Sequence, residues 1–356
     1  MCVYYADGLW VAGGAGAGGG STSVYGLYYS LDGKTWAQST LTSSTFYSVY
    51  NANGLWVVGS QSTGLYYSTD GKTWTQSNIT SGPFYSLYNA NGIWVACSYR
   101  GLYYSTDGKT WNKSNLRSGD FYFVYNANGI WVVSSYGDSY NGLYYSTNGK
   151  TWTRSNITSG YFNSLYNADG IWVAISGSGS GIYYSTDGKT WTQSNITSGS
   201  FFSVYNANGI WVAGGSGNGL YYSTNGKTWT QSNLNSKNFY SVYYANGIWV
   251  TGGWSVNGVY YSIDGKTWVQ SNITSGNFGA VYNANGMWVA VDTLGAGLYY
   301  SPTWEVSTPP RTVSEEWVLK GSVNMTSPVD LSRQSINVEF QSALQDYSKI
   351  SFNVNG

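Results

Sequence analysis

Few side chains in this sequence are equipped for acid, base or nucleophilic chemistry, and their placement favours contact over turnover. There is no histidine, so a Ser-His-Asp triad and a histidine-based metal site are both excluded. All four glutamates, Glu305, Glu315, Glu316 and Glu339, fall after residue 304. Most aspartates stand in Asp-Gly turn signals; the others before residue 304 are Asp120, Asp138 and Asp292. Glycoside hydrolysis calls for two carboxylates flanking the scissile bond, and no such pair stands out. Arg100, Arg117 and Arg154 are spread over consecutive stretches of chain. No catalytic residue, metal or cofactor is expected. What remains is contact chemistry: exposed aromatics, small polar groups and a few charges.

The elements that must carry these residues come from one unit of about 38 residues, repeated along the chain. One copy runs from Phe46 through Trp56 to Trp74 and Gln76. The first tryptophan of the unit recurs at 10, 56, 94, 131, 172, 211, 249 and 288, and the second at 36, 74, 111, 152, 191, 229 and 268, with a degenerate copy at 304. Trp254 and Trp317 alone lie outside this pattern, which singles out Trp254. Each unit holds two hairpin signals, such as Asn53-Gly54 and Asp70-Gly71, flanked by aromatic and β-branched residues. Asn-Gly and Asp-Gly suit turns that need positive φ. The spacing predicts strands A to D over 46–52, 55–58, 65–68 and 72–76. Eight such meanders predict an all-β chain, a β-propeller of eight four-stranded blades, with seven blades plus one displaced hairpin as the alternative.

The stretch Ser68-Thr-Asp70-Gly-Lys-Thr-Trp74 resembles the Asp-box (BNR) motif of sialidase-like β-propellers, and further copies start at Ser30, Ser105, Ser146, Ser185, Ser223 and Ser262. The resemblance implies a structural role for Asp32, Asp70, Asp107, Asn148, Asp187, Asn225 and Asp264. Asn serves in two of these slots, as a turn acceptor of backbone hydrogen bonds would allow and a catalytic acid would not. A sialidase-like site would also need clustered arginines and a tyrosine activated by a glutamate. No Arg-Ile-Pro motif occurs near the start, and no sialidase residue is carried over.

In an up-and-down meander the A/B and C/D turns share one rim, and the B/C and D/A connections share the other. The first rim is nearly invariant between units, while the B/C connections differ in length and content. Variation on one rim of near-identical repeats marks it as the candidate binding face. Its Tyr, Ser, Gly and Asn content is like that of antibody paratopes. The candidate binding residues are Tyr99, Arg100, Arg117, Asp120, Tyr136, Asp138, Tyr140, Trp254 and Asp292.

Charged residues make up 9% of the chain and sum to zero, so nucleic acid and anionic membranes are not expected partners. No run approaches the ~20 apolar residues of a membrane span, and residues 1 to 10 lack the basic-then-apolar pattern of a leader. Cys2 and Cys97 read as two small buried thiols. The triplets Asn78-Ile-Thr80 and Asn156-Ile-Thr158 match the glycosylation pattern, but they recur because the unit recurs.

The composition shifts at Glu305: ten of the last 52 residues are charged, against 22 of the preceding 304. This divides the chain into a propeller, 1–304, and a small β-rich segment, 305–356, entered through Pro309-Pro310. Trp317-Val-Leu319, Ile336-Asn-Val-Glu-Phe340 and Tyr347-Ser-Lys-Ile-Ser-Phe352 resemble small β modules beside such repeats in virion and tail-associated proteins of phages and prophages of gut bacteria. That resemblance implies a non-enzymatic phage adhesin binding a bacterial surface glycan or protein receptor. Residues 305–356 would dock it to other virion or tail proteins. A bacterial extracellular or cell-surface sialidase-like propeller, glycan-binding or glycan-hydrolysing, and a structural virion decoration protein stay open as alternatives.

Overall fold

The computed structural model describes residues 2–13, 25–137, 141–254, 258–284, 286–292 and 298–301. They form eight antiparallel sheets arranged as a closed propeller, with no helix among the described residues. Seven blades have four strands, and the eighth shows three: Phe278–Ala284, Met287–Asp292 and Leu298–Ser301. The seven-bladed alternative fails because Cys2–Ala6 opens a complete blade of its own, with Leu9–Gly13, Leu27–Ser30 and Ala37–Gln38. Its inner strand lies against that of blade 8 and closes the ring, with Tyr4 and Tyr282 stacked at 6.0 Å.

Blade 2 shows why the unit folds as it does. Strand A (Phe46–Ala52) turns through Asn53 and Gly54, at φ of 52° and 75°, into strand B (Leu55–Ser60). Two successive positive φ angles match the twist of the flanking strands, which is why Asn-Gly or Asp-Gly occupies this turn. Strand C spans Leu65–Ser68, and strand D is only Thr75–Gln76, shorter than the expected 72–76. The reason is local: the Ser68 hydroxyl and the Asp70 carboxylate accept the amides of residues 70 to 73. Those donors serve the turn and are lost to the ladder.

The blades adhere through four repeated contacts. Alternate residues of each sheet face opposite neighbours: Leu9, Val11 and Leu27 of blade 1 pack with Phe46, Val49, Trp56, Val58 and Trp74 of blade 2. Each such aromatic contributes on the order of 1.5 to 3 kcal/mol on burial. A Cβ on Gly59 would lie 2.6 Å from that of Phe84 in the next blade, so glycine here permits close approach. The side-chain amide of Asn78 clasps the backbone of Trp111 in the following blade, accepting from its N–H at 2.8 Å and donating to its carbonyl at 3.0 Å. Asn115, Asn156, Asn195 and Asn233 repeat the clasp on Trp152, Trp191, Trp229 and Trp268. Finally, the turn lysine reaches back over a tyrosine of the preceding blade, as Lys72 does over Tyr29 at 5.4 Å and Lys109 over Tyr67 at 5.5 Å. Lys34 over Tyr300 completes the circuit from blade 1 to blade 8.

Candidate functional site

The two rims are built differently. On the A/B and C/D rim every Ser-x-Asp/Asn-Gly-Lys-Thr-Trp turn has the same bonds. Asp70 Oδ1 accepts from the Lys72 and Thr73 amides at 2.8 and 2.7 Å, and Asn148 Oδ1 accepts the equivalent pair at 2.9 Å each. The amides of Thr35 and Lys34 and the Ser30 hydroxyl hold the Asp32 carboxyl at about 2. Partial burial pushes Asp70 and Asp107 upward, but the same set of donors outweighs it and leaves both at about 2. Asp187 and Asp264 are lowered in the same way. These carboxylates are engaged inside their turns. The rim's seven aspartates, counting Asp7 and Asp169 of the A/B turns, are matched by seven turn lysines.

At the centre, one tyrosine from each inner strand forms a closed collar: Tyr4, Tyr50, Tyr88, Tyr125, Tyr166, Tyr205, Tyr243 and Tyr282. Successive ring centroids are 4.8 to 6.0 Å apart all the way round. Each ring also meets edge-on the strand B tryptophan of the following blade, as Tyr50 meets Trp94 at 6.1 Å. Burial raises the Tyr50 hydroxyl well above the ordinary tyrosine range, and the neighbouring hydroxyls of Tyr4 and Tyr88 add to it.

Above the collar, at the B/C end of strand A, seven blades carry a bulge: Phe46 pairs Ser60 and Ser48 pairs Gly59, leaving Tyr47 as the extra residue. Bulges re-aim side chains. The extra residues are Tyr47, Tyr85, Tyr122, Asn163, Phe202, Tyr240 and Gly279 in blades 2 to 8. They assemble two aromatic arcs. Tyr47 stacks on Tyr85 at 5.6 Å, Tyr85 on Tyr122 at 4.9 Å, and Tyr122 meets Tyr161 at 4.8 Å. Tyr161, from the D/A connection into blade 5, covers the position where Asn163 breaks the series. Phe202 stacks on Tyr240 at 4.3 Å in blades 6 and 7.

The rim residues expected from sequence sit on these arcs. Tyr136, 50% exposed, leans on Tyr161 at 5.5 Å, and Trp254, 41% exposed, leans on Tyr240 at 5.6 Å. Tyr99, 54% exposed, and Asp120 both lie close enough to Tyr85 to disfavour its ionisation, behind burial and Tyr47. Asp120 pairs with Tyr136 across the A/B ladder. The Tyr122 hydroxyl is pushed up to about 12, first by burial and next by Asp120. Tyr99, Asp120 and Tyr136 thus gather at one corner between blades 3 and 4, with Trp254 on a separate arc.

Arg100 and Arg117 are exposed at the same corner, in the B/C and D/A connections, and neither guanidinium is ion-paired with a described residue. Lys113 donates to the carbonyls of both, and Arg154 donates to those of Asn141 and Thr158, tying B/C to D/A connections where other blades use glutamine. The three arginines, dispersed in sequence, fall on adjacent blades because consecutive units are neighbours in the ring. Asp292 ends strand B of blade 8, its backbone opposite Phe278. Asp138 and Tyr140 lie outside the described residues, as does 305–356. Of the two cysteines, Cys97 is fully buried, and Cys2 is half-buried as a residue while its thiol packs against blade 2, donating to the Phe46 carbonyl at 3.6 Å and pushed up to about 11 by burial.

Sequence reasoning missed the bulge residues and the collar. The collar had a signal, since its tyrosine is present in every unit. The bulge position had a subtler one: it changes between Tyr, Asn, Phe and Gly while its neighbours Phe46 and Tyr50 recur.

No family model matches the chain, and no curated protein sequence matches it. Solved structures do. The chain is similar to the computationally designed Ika8 protein, with a TM-score of 0.66 and 10% identity over 84% of this chain and 94% of that one. It is similar to BamB from Moraxella catarrhalis, at 0.61 and 9% over 84% and 95%. It is also similar to YCF48 from Cyanidioschyzon merolae, at 0.53 and 14% over 72% and 94%. At these identities the likeness is one of fold.

Proposed function

We propose that this propeller is a recognition module that binds a bacterial surface glycan or receptor through its B/C rim without transforming it. The observation that carries this is the pairing of exposed aromatics with an internal support: Tyr136 rests on Tyr161, which packs edge-on against Tyr122, and Trp254 rests on Tyr240, which stacks on Phe202. Rigid, half-exposed aromatics supply contact area at low entropic cost. The opposite rim repeats one self-satisfied turn, and the large apolar side chains its described turns expose, Leu31 and Ile263, are aliphatic. Hydrolysis would need a second carboxylate across the bond, and the described side chains of this rim offer Asp120.

We read the repeated turn as the Asp-box of sialidase-like propellers, used here as a scaffold. The resemblance of Trp317-Val-Leu319, Ile336-Asn-Val-Glu-Phe340 and Tyr347-Ser-Lys-Ile-Ser-Phe352 to small β modules of phage particle proteins supports placing the chain in a phage tail or virion, with the segment after residue 304 as the docking element toward other particle proteins. The test is a glycan-array and whole-cell binding assay with a parallel assay for released sugar. Trp254→Ala with Tyr136→Ala should cut binding at least tenfold while leaving the unfolding midpoint in place. Release of sugar by the parent chain, or undiminished binding by the double variant, would overturn the reading.

A further inference from the structure

The charges of the two rims are not alike. The turn rim is balanced, while the described charged side chains of the B/C and D/A rim are Arg100, Lys113, Arg117, Arg154 and Lys237 against Asp120. Four of those five cations belong to blades 3 and 4 and the connection between them, and so fall where Tyr99 and Tyr136 are most exposed. Lys237 is engaged elsewhere, with the Tyr260 hydroxyl and ring.

From this placement we infer that the corner between blades 3 and 4 binds an anionic glycan chain, its acid groups being carboxylates or phosphodiesters. The inference rests on the recognition role proposed above and names its ligand class. Two kinds of group converge there. Tyr99 and Tyr136 flank the corner, and the stacked Tyr85 and Tyr122, with Tyr161 edge-on to Tyr122, back it. Aromatic flanks suit the apolar faces of sugar rings. Arg100 and Arg117 are adjacent through their backbones, since the Gly101 amide bonds the Gly119 carbonyl and a Cβ on Gly101 would lie 2.8 Å from the carbonyl carbon of Arg117. Their guanidiniums, without an ion-pair partner among the described residues, match an acid group. Lys113 and Arg154 spend hydrogen bonds on backbone carbonyls and lie over the Tyr103 and Tyr144 rings, which occupies some of their donors but leaves their positive charge in place.

Asp120 faces the tyrosine side of the corner, beside Tyr85, Tyr122 and Gly137. An ionised carboxylate only accepts hydrogen bonds. Its oxygens place acceptors on the tyrosine side of the corner, while the acid groups of the glycan chain meet the arginines. Neighbouring strands are about 5 Å apart, close to the length of one sugar, so the path from strand A at Tyr85 to the B/C connection at Tyr99 and Arg100 spans about two sugars.

The test measures binding of three probes to the whole chain: an oligogalacturonate, a glycerol-phosphate oligomer, and neutral maltohexaose, each at 50 and 500 mM salt. One of the anionic probes should bind at least tenfold more tightly than the neutral one at low salt, and the preference should shrink at high salt. Which probe wins identifies carboxylate or phosphodiester. Arg100→Gln with Arg117→Gln should abolish the preference without moving the unfolding midpoint. Equal affinity for all three, absence of binding, or a preference that survives the double substitution would overturn the assignment. Cell binding separates this from the broader reading: if it persists in the arginine variant but is lost in Trp254→Ala with Tyr136→Ala, the anionic assignment alone fails.

Discussion

The clasp between blades makes a prediction with two opposite signs. Asn156 holds Trp191 by two hydrogen bonds, accepting from its amide at 2.8 Å and donating to its carbonyl at 2.9 Å. A net hydrogen bond contributes about 0.5 to 1.5 kcal/mol, so Asn156→Ala should destabilise the propeller by roughly 1 to 3 kcal/mol. The first blade lacks the full clasp: Thr40 occupies the slot and only accepts from the Trp74 amide, at 3.0 Å. Thr40→Asn adds the missing donor and should stabilise by about 0.5 to 1.5 kcal/mol. Equilibrium urea unfolding followed by tryptophan fluorescence reads both, provided the slope is unchanged. Ordinary surface substitutions stay within about 0.5 kcal/mol. An Asn156→Ala shift inside that band, or a loss of stability in Thr40→Asn, would refute the clasp as an energetic link.

The turn aspartates predict an acid dependence. Asp32, Asp70 and Asp107 sit at about 2 in the fold against roughly 3.9 in an unfolded chain. Their contribution is therefore complete above about pH 4 and is lost as pH falls toward 2. Replacing these three by Asn, the residue already present at 148 and 225, should flatten the fall in urea midpoint between pH 4 and 2; an unchanged slope would place the acid sensitivity elsewhere. Cys97 is fully buried and its thiol is pushed well up by that burial, so a thiol reagent should modify it only as fast as the protein unfolds. Rapid labelling of Cys97 in the native state would contradict the packing between blades 3 and 4.

What the sequence made legible follows the eightfold repeat, and what it hid is where that repeat is used or broken in space. Asn53-Gly54 and its relatives announced the hairpins, because positive φ at two successive residues admits few alternatives. The tryptophan spacing announced the blades for a similar reason, each copy being one packing unit. Strand D was overestimated because Lys72 and Thr73 look like strand residues, while their amides answer to Asp70. Three of the five clasping asparagines, Asn78, Asn156 and Asn195, were visible only as Asn-Ile-Thr triplets, since the partner of Asn78 lies 33 residues away in the next blade. The candidate site shows the same limit more sharply. Tyr99, Arg100, Arg117 and Trp254 were found as departures from the repeat. Tyr85, Tyr122 and Tyr240, which support them, were concealed by conforming to it. A bulge turns an ordinary strand residue toward the channel mouth, and a bulge depends on the register of two strands, which no single strand spells out. Under the recognition role proposed above, specificity is set by two populations, the irregular loop residues that meet a ligand and the regular bulge residues that hold them still. Variation at the bulge, Asn163 in blade 5 and Gly279 in blade 8, matters as much as variation in the loops, because it decides over which blades the aromatic support runs.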